Sequence, residues 1–212
     1  MPTPDRILEG LAAIANEQTW LAVVWHIVLA GVIVALLAGW RPGKKLGATA
    51  VVLPLLSVAA QAAMARNLFN AVVFFLFAIL FLAVLGRGLP PGRIAPMPAW
   101  GRVAGGLLIA FGWIYPHFLK GASALTYLLA APVGLISCPT LSVLVGFTLL
   151  AAGFSSRAFS LALGILGMFY GAFGAFRLEV TIDLVLLAGS VTLIVFAMTI
   201  KFVSESSNVS RG

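Results

Sequence analysis

The side chains able to do chemistry in this sequence are few and mostly uncharged. Two histidines, His26 and His117, one cysteine, Cys138, and the thioether of Met64 are the soft groups that fall in the outer half of its apolar stretches. Imidazole, thiolate and thioether suit copper(I) or zinc, so Cys138 and His117 are the candidate metal ligands. Cys138 opens a Cys-Pro-Thr triplet with Pro139 and Thr140. A proline inside a helix removes a donor and frees a carbonyl, which would stand beside the thiolate. Pro54, Ser57, Gln61 and Met64 follow one another at spacings of 3, 4 and 3, a single helical face. Gln61 is not expected to face lipid, where its amide would lose its hydrogen bonds. His26, Ser57, Gln61, His117, Cys138 and Thr140 form the candidate ligand or pathway set. Each has a plainer alternative: interhelical hydrogen bonds for His26 and Gln61, a small buried hydrophobe for Cys138. There is no GxSxG, HExxH, phosphate loop or paired catalytic carboxylate, so no enzyme activity is expected.

Composition explains why so few groups are available. Of 212 residues, 62% are hydrophobic and 9% charged, against roughly 25% charged in a soluble domain. Mean hydropathy is +1.12. These values exclude a disordered chain, a nucleic-acid-binding domain and a soluble enzyme. A single cysteine excludes an intramolecular disulfide. The first twenty residues lack a basic n-region and carry Glu9 and Glu17 where a signal peptide would be apolar, so the chain is expected to be kept whole.

A helix crosses about 30 Å of hydrocarbon with about 20 apolar residues. Seven runs qualify: Trp20–Gly39, Gly47–Ala65, Leu68–Leu85, Val103–Leu119, Pro132–Phe154, Ala158–Phe176 and Leu184–Phe202. The prediction is an all-α polytopic transmembrane helix bundle of about seven spans, since backbone in lipid must satisfy its own hydrogen bonds. The net charge of +7 then becomes a topology signal. Nine of thirteen basic residues (Arg41, Lys44, Lys45, Arg87, Arg93, Arg102, Arg157, Lys201 and Arg211) fall on one side, and five of six acids on the other. By the positive-inside rule the N-terminus lies outside and the C-terminus in the cytoplasm. Residues 120–134 are too short for an eighth span and read as re-entrant or interfacial. Arg177, Glu179 and Asp183 in the last outer link read as solvated or mutually paired, leaving no acid within any span.

Residues 1–19 contain an amphipathic helix with Ile7, Leu8, Leu11, Ile14 and Ala15 on one face, expected to lie in the outer interface. Residues 20–203 form one transmembrane domain, and 204–212 a polar tail. Small residues mark buried helix faces in lipid. The sixth run has the longest such stripe, Ser160, Gly164, Gly167, Gly171 and Gly174. Gly31, Ala35 and Gly39 make a shorter ridge, and Gly134, Cys138, Ser142, Gly146 and Gly153 another.

Two resemblances add to this. Cys138-Pro139-Thr140 is similar to the intramembrane Cys-Pro element of heavy-metal pumps, but no phosphorylation or nucleotide domain accompanies it, which excludes an ATP-driven pump. Tyr115-Pro116-His117-Phe118-Leu119, followed by Pro132-Val133-Gly134-Leu135-Ile136-Ser137-Cys138-Pro139-Thr140-Leu141, resembles a family of small bacterial multi-pass integral membrane proteins of unknown function. That resemblance implies the bacterial inner membrane. The expectation is a permease-like or channel-like protein for a small solute or metal ion. The alternatives are a non-transporting membrane subunit or scaffold, and metal or redox sensing at Cys138. The bilayer is the expected partner, together with a homo-oligomer or membrane-complex partner and no nucleic acid. No cofactor is required; a metal ion is the one candidate.

Overall fold

The structure, a computed structural model, describes residues 3–40, 42–87, 89, 97–121 and 123–199. Arg41, Arg93, Lys201, Arg211, residues 88 and 90–96 of the Pro/Gly-rich stretch 86–102 and the polar tail 204–212 lie outside the described residues. What is described is all-α: α1 Pro4–Glu17, α2 Thr19–Leu37, α3 Lys44–Met64, α4 Leu68–Gly86, α5 Ala99–Ile114, α6 Ala124–Ala130, α7 Ser137–Leu150, α8 Arg157–Ala172 and α9 Leu184–Thr199. A π turn, Phe173–Arg177, prolongs α8, and a 3-10 turn, Thr181–Asp183, leads into α9.

Five helical stretches are long and apolar enough to cross a membrane: Thr19–Leu37, Lys44–Met64, Leu68–Gly86, Arg157–Arg177 and Thr181–Thr199. Two expected spans are shorter. α5 has 16 residues and α7 has 14, about 24 and 21 Å at 1.5 Å per residue. Their ends have local causes. Pro116 disfavours helical backbone at Tyr115, which leaves the helix at φ 6° and ψ 90°, so the helix expected to reach Leu119 stops at Ile114. At the other boundary, Pro132 accepts the amides of Leu135 and Ile136 in a turn, and Gly134 takes φ +77°. Helix α7 therefore starts at Ser137, not Pro132. Pro139 consequently sits in the first turn, where a proline interrupts no helical hydrogen bond. It is not the mid-helix kink expected from the sequence.

The buried core centres on α7, whose residues from Ser137 to Gly146 are all buried. It packs against α5, α8, α9 and, more lightly, α3, while α3 pairs with α4 and α8 with α9. The α5–α7 crossing is a backbone-to-backbone approach. A Cβ on Gly105 would stand 2.7 Å from Gly146 O, one on Gly146 2.6 Å from Gly105 O, and one on Gly112 2.6 Å from Pro139 O. Between α8 and α9 the glycine stripe plays the same part. Gly164 faces Ile194 and the Ser190 carbonyl, Gly167 the Ser190 hydroxyl, Gly171 the Leu187 backbone, and Gly174 the Asp183 carboxylate. Ser160, at the far end, turns to the Gly153 carbonyl at 3.3 Å.

Helix α1 begins at Pro4 with Thr3 as N-cap. Its apolar face turns to the bundle. Leu11, Ile14 and Ala15 are buried against Leu135, Ile136, Leu178 and Val180, so α1 caps one end of the bundle. Asn16 fastens it: its amide donates to Phe118 O at 2.9 Å, and its Oδ1 accepts from the Lys120 amide at 3.0 Å. At this end α6, seven residues long, runs beside α2 and α5 with Leu125, Leu128 and Leu129 exposed. The Trp113 indole donates to Leu128 O at 2.9 Å.

Candidate functional site

The residues singled out in the sequence separate into distinct places. On the α2 side, the Trp25 indole donates to the Ser57 hydroxyl at 3.0 Å. Trp25 also fills the space that Gly134 leaves by having no side chain. Gly134 in turn donates its amide to the Thr140 hydroxyl at 2.8 Å, and Thr140 bonds back to Ile136 O. Ser57 and Thr140 are thus joined through one indole and one glycine. His26, buried, has Nδ1 2.8 Å from Ala22 O and Nε2 3.1 Å from Trp113 O, with its ring edge-on to Trp113 at 4.8 Å. These contacts tie α2 to α5. Gln61 is buried on α3 and its amide makes no hydrogen bond among the described residues. Met64 is exposed.

Cys138 faces the opposite way, toward α8 and α9. Its thiol points at Tyr170 O, 3.9 Å away, and lies beside the Asp183 side chain. The Tyr115 hydroxyl donates to Asp183 Oδ1 at 2.7 Å. Both partners are fully interior, with Tyr115 0% and Asp183 2% exposed. Asp183 has no ion pair among the described residues. The carboxylate fits because Gly174 presents bare backbone where a Cβ would overlap Oδ2. Behind this group, the Tyr170 hydroxyl donates to Asn70 Oδ1 at 2.8 Å, which ties α8 to α4.

His117 does not join Cys138. It is half-buried in the link after α5, its ring packed against Phe118 at 4.4 Å, and burial lowers its pKa from the ordinary histidine value. Among the described residues no group of three or more His, Cys, Asp and Glu side chains is placed to hold a metal ion. The expected cluster of His26, Gln61, His117 and Cys138 is therefore not formed. Tyr115, Cys138 and Asp183 come together instead, and only Cys138 was in the sequence-derived set.

Asp183 is the residue that the sequence reading misplaced. It is neither solvated nor paired with Arg177 or Glu179, which are exposed. The signal was present. Val180, Ile182, Leu184 and Val185 surround Asp183 with apolar residues on both sides, so the last apolar run begins before the acid, not after it.

The group stands where four elements are interrupted: the end of α5, the start of α7, the π turn closing α8 and the 3-10 turn opening α9. A carboxylate in such a place is a functional signal in a membrane protein, because its burial is costly and seldom kept without use. Comparison with protein-family models, curated proteins and solved structures finds no match to this chain.

Proposed function

We propose that this chain is a seven-span protein of the bacterial inner membrane, N-terminus outside and C-terminus cytoplasmic, and that it is permease-like, moving a small solute or ion past the Tyr115–Cys138–Asp183 group. The observation that carries this reading is the buried Asp183, which has no cationic partner among the described residues and lies at a junction of broken helices. Transporters commonly bind at such discontinuities, where free backbone groups and a charged side chain converge. α5 and α7 supply the sixth and seventh crossings. Although short, they are apolar, and the turns that flank them extend their reach. The resemblance at 115–119 and 132–141 supports the inner membrane.

The transport reading is tested in proteoliposomes with labelled monovalent cations, divalent metal ions and small neutral and anionic solutes, and with a trapped pH-sensitive dye as the probe for protons. Uptake of one probe by the native chain, lost in Asp183→Asn, is the expected result; no flux of any probe overturns it. Topology is tested in a Cys138→Ala background. An impermeant maleimide added outside should label Glu17→Cys and spare Gly43→Cys, and the reverse pattern overturns the orientation.

A second reading, a membrane subunit or scaffold, is favoured by one observation. The shallow groove along Val28, Gly31, Val32 and Ala35 of α2 and Ala38 just past it has nothing among the described residues within 4 Å of a Cβ placed on Gly31. Purification as a stoichiometric complex, with no flux of any probe, would select it. Sensing at Cys138 draws less support, since the thiol is buried and His117 does not reach it.

A further inference from the structure

We infer that Asp183 is held as the neutral acid beneath α1, and that the species this site binds and releases is a proton. The inference deepens the transport reading by naming what the site carries. Three observations lead to it.

The first is a count of hydrogens. The Tyr115 hydroxyl has one and gives it to Asp183 Oδ1. The Cys138 thiol gives its one to the Tyr170 carbonyl. Asp183 Oδ2, set against the Gly174 backbone, is left with no donor among the described residues. A proton on Asp183 removes the need for one, and Tyr115 still donates to Oδ1.

The second is space. The Asp183 carboxylate packs directly on the Gly174 backbone, with less room than a methyl group requires. A metal cation needs several oxygen ligands at 2.0–2.6 Å, and among the described residues no cluster of three or more His, Cys, Asp and Glu side chains could supply them. A proton needs no added volume.

The third is charge. An ionised carboxylate out of water needs a cation or several strong donors, failing which it neutralises. Among the described residues the titratable groups facing Asp183 are Tyr115 from the link after α5 and Cys138 from α7, with Tyr170 of α8 behind Cys138. None is a cation. The charges of its own link, Arg177 and Glu179, are exposed, as are Asp5, Arg6, Glu9 and Glu17 of α1 and Lys120.

The experiment is infrared spectroscopy of the full chain in detergent at neutral pH, in H2O and in D2O. The expected spectrum contains the C=O stretch of a protonated carboxyl that shifts in D2O and is lost in Asp183→Asn, a variant that keeps an acceptor for Tyr115. If Asp183→Asn does not fold, Tyr115→Phe serves in its place: removing the hydrogen bond to the carbonyl should raise the frequency of the same band. A folded native protein with no such band, or a band unmoved by both variants, overturns the inference. The transport reading fails separately. A carboxyl band with no flux of any probe removes transport and keeps the proton site, while flux lost in Asp183→Asn with no band removes the proton site alone.

Discussion

Two adjacent glycines on α5 give the sharpest test of how the bundle is held. A Cβ on Gly105 would lie 2.7 Å from Gly146 O and 3.1 Å from Leu150 Cγ, whereas one on Gly106 meets nothing within 4 Å among the described residues. Ordinary contact begins near 3.4 Å, so Gly105→Ala must part α5 and α7 by about 0.7 Å. A gap of 0.5–1 Å forfeits roughly a quarter to a half of the attraction between facing atoms, and the loss extends along the crossing to Gly112 and Pro139. Overpacking of this kind costs about 1–3 kcal/mol. Alanine also favours helix over glycine by about 1 kcal/mol, and that gain applies equally at both positions. Subtracting one variant from the other removes it. Gly105→Ala should therefore be about 1–3 kcal/mol less stable than Gly106→Ala, a factor of about 5 to 150 in the unfolding constant. Equilibrium unfolding in mixed micelles measures the difference. Gly146→Ala should behave like Gly105→Ala, and the double variant should cost less than the two together, because one separation of the helices relieves both overlaps. Equal stability of Gly105→Ala and Gly106→Ala would refute the close α5–α7 approach.

Other predictions follow from single contacts. Tyr115→Phe leaves Asp183 Oδ1 without its donor in a buried place and should cost about 1–3 kcal/mol, read by the same unfolding measurement; a neutral effect would mean the bond is not formed. Gly134→Ala and Gly121→Ala both place alanine at positive φ, +77° and +60°, but only Gly134 faces Trp25. The first should therefore lower Tm clearly more than the second. Asn16→Ala removes both bonds to the 118–120 link, each worth about 1 kcal/mol. Hydrogen exchange should rise at least about tenfold in α1 and residues 115–121 while the interior of α7 stays unchanged, and uniform acceleration throughout would show that α1 is not a separable cap.

What the sequence made legible was governed by the bilayer. Apolar runs of about twenty residues have one cheap conformation in lipid, and α2, α3, α4, α8 and α9 fall close to the runs that predict them. The glycine stripe of α8 was legible for a related reason: a face with no side chains has little to offer except close approach, and α9 takes it. The ends of α5 and α7 were legible in principle from Pro116, Pro132 and Gly134. A hydropathy count does not see them, because the residues beyond each break are as apolar as those before it.

The site was less legible because its members come from separate parts of the chain and each has an ordinary local explanation. Tyr115 reads as a membrane-interface aromatic, Cys138 as a small residue on a small-residue face, and Asp183 as one charge in a polar link. Their partnership depends on where α5 stops and α7 starts, which Pro116, Pro132 and Gly134 decide locally, and on α1 folding over the end of the bundle, which tertiary packing decides. His26 and Ser57 illustrate the converse. Their polarity drew attention, and the structure uses it to join helices, through Trp113 O for His26 and the Trp25 indole for Ser57. A polar side chain among apolar helices must find a partner whatever its role, so the presence of one says little. Asp183 is informative for a narrower reason: among the described residues neutral partners alone surround it, and a carboxyl so placed must take up a proton or acquire a cation whenever the helices close over it.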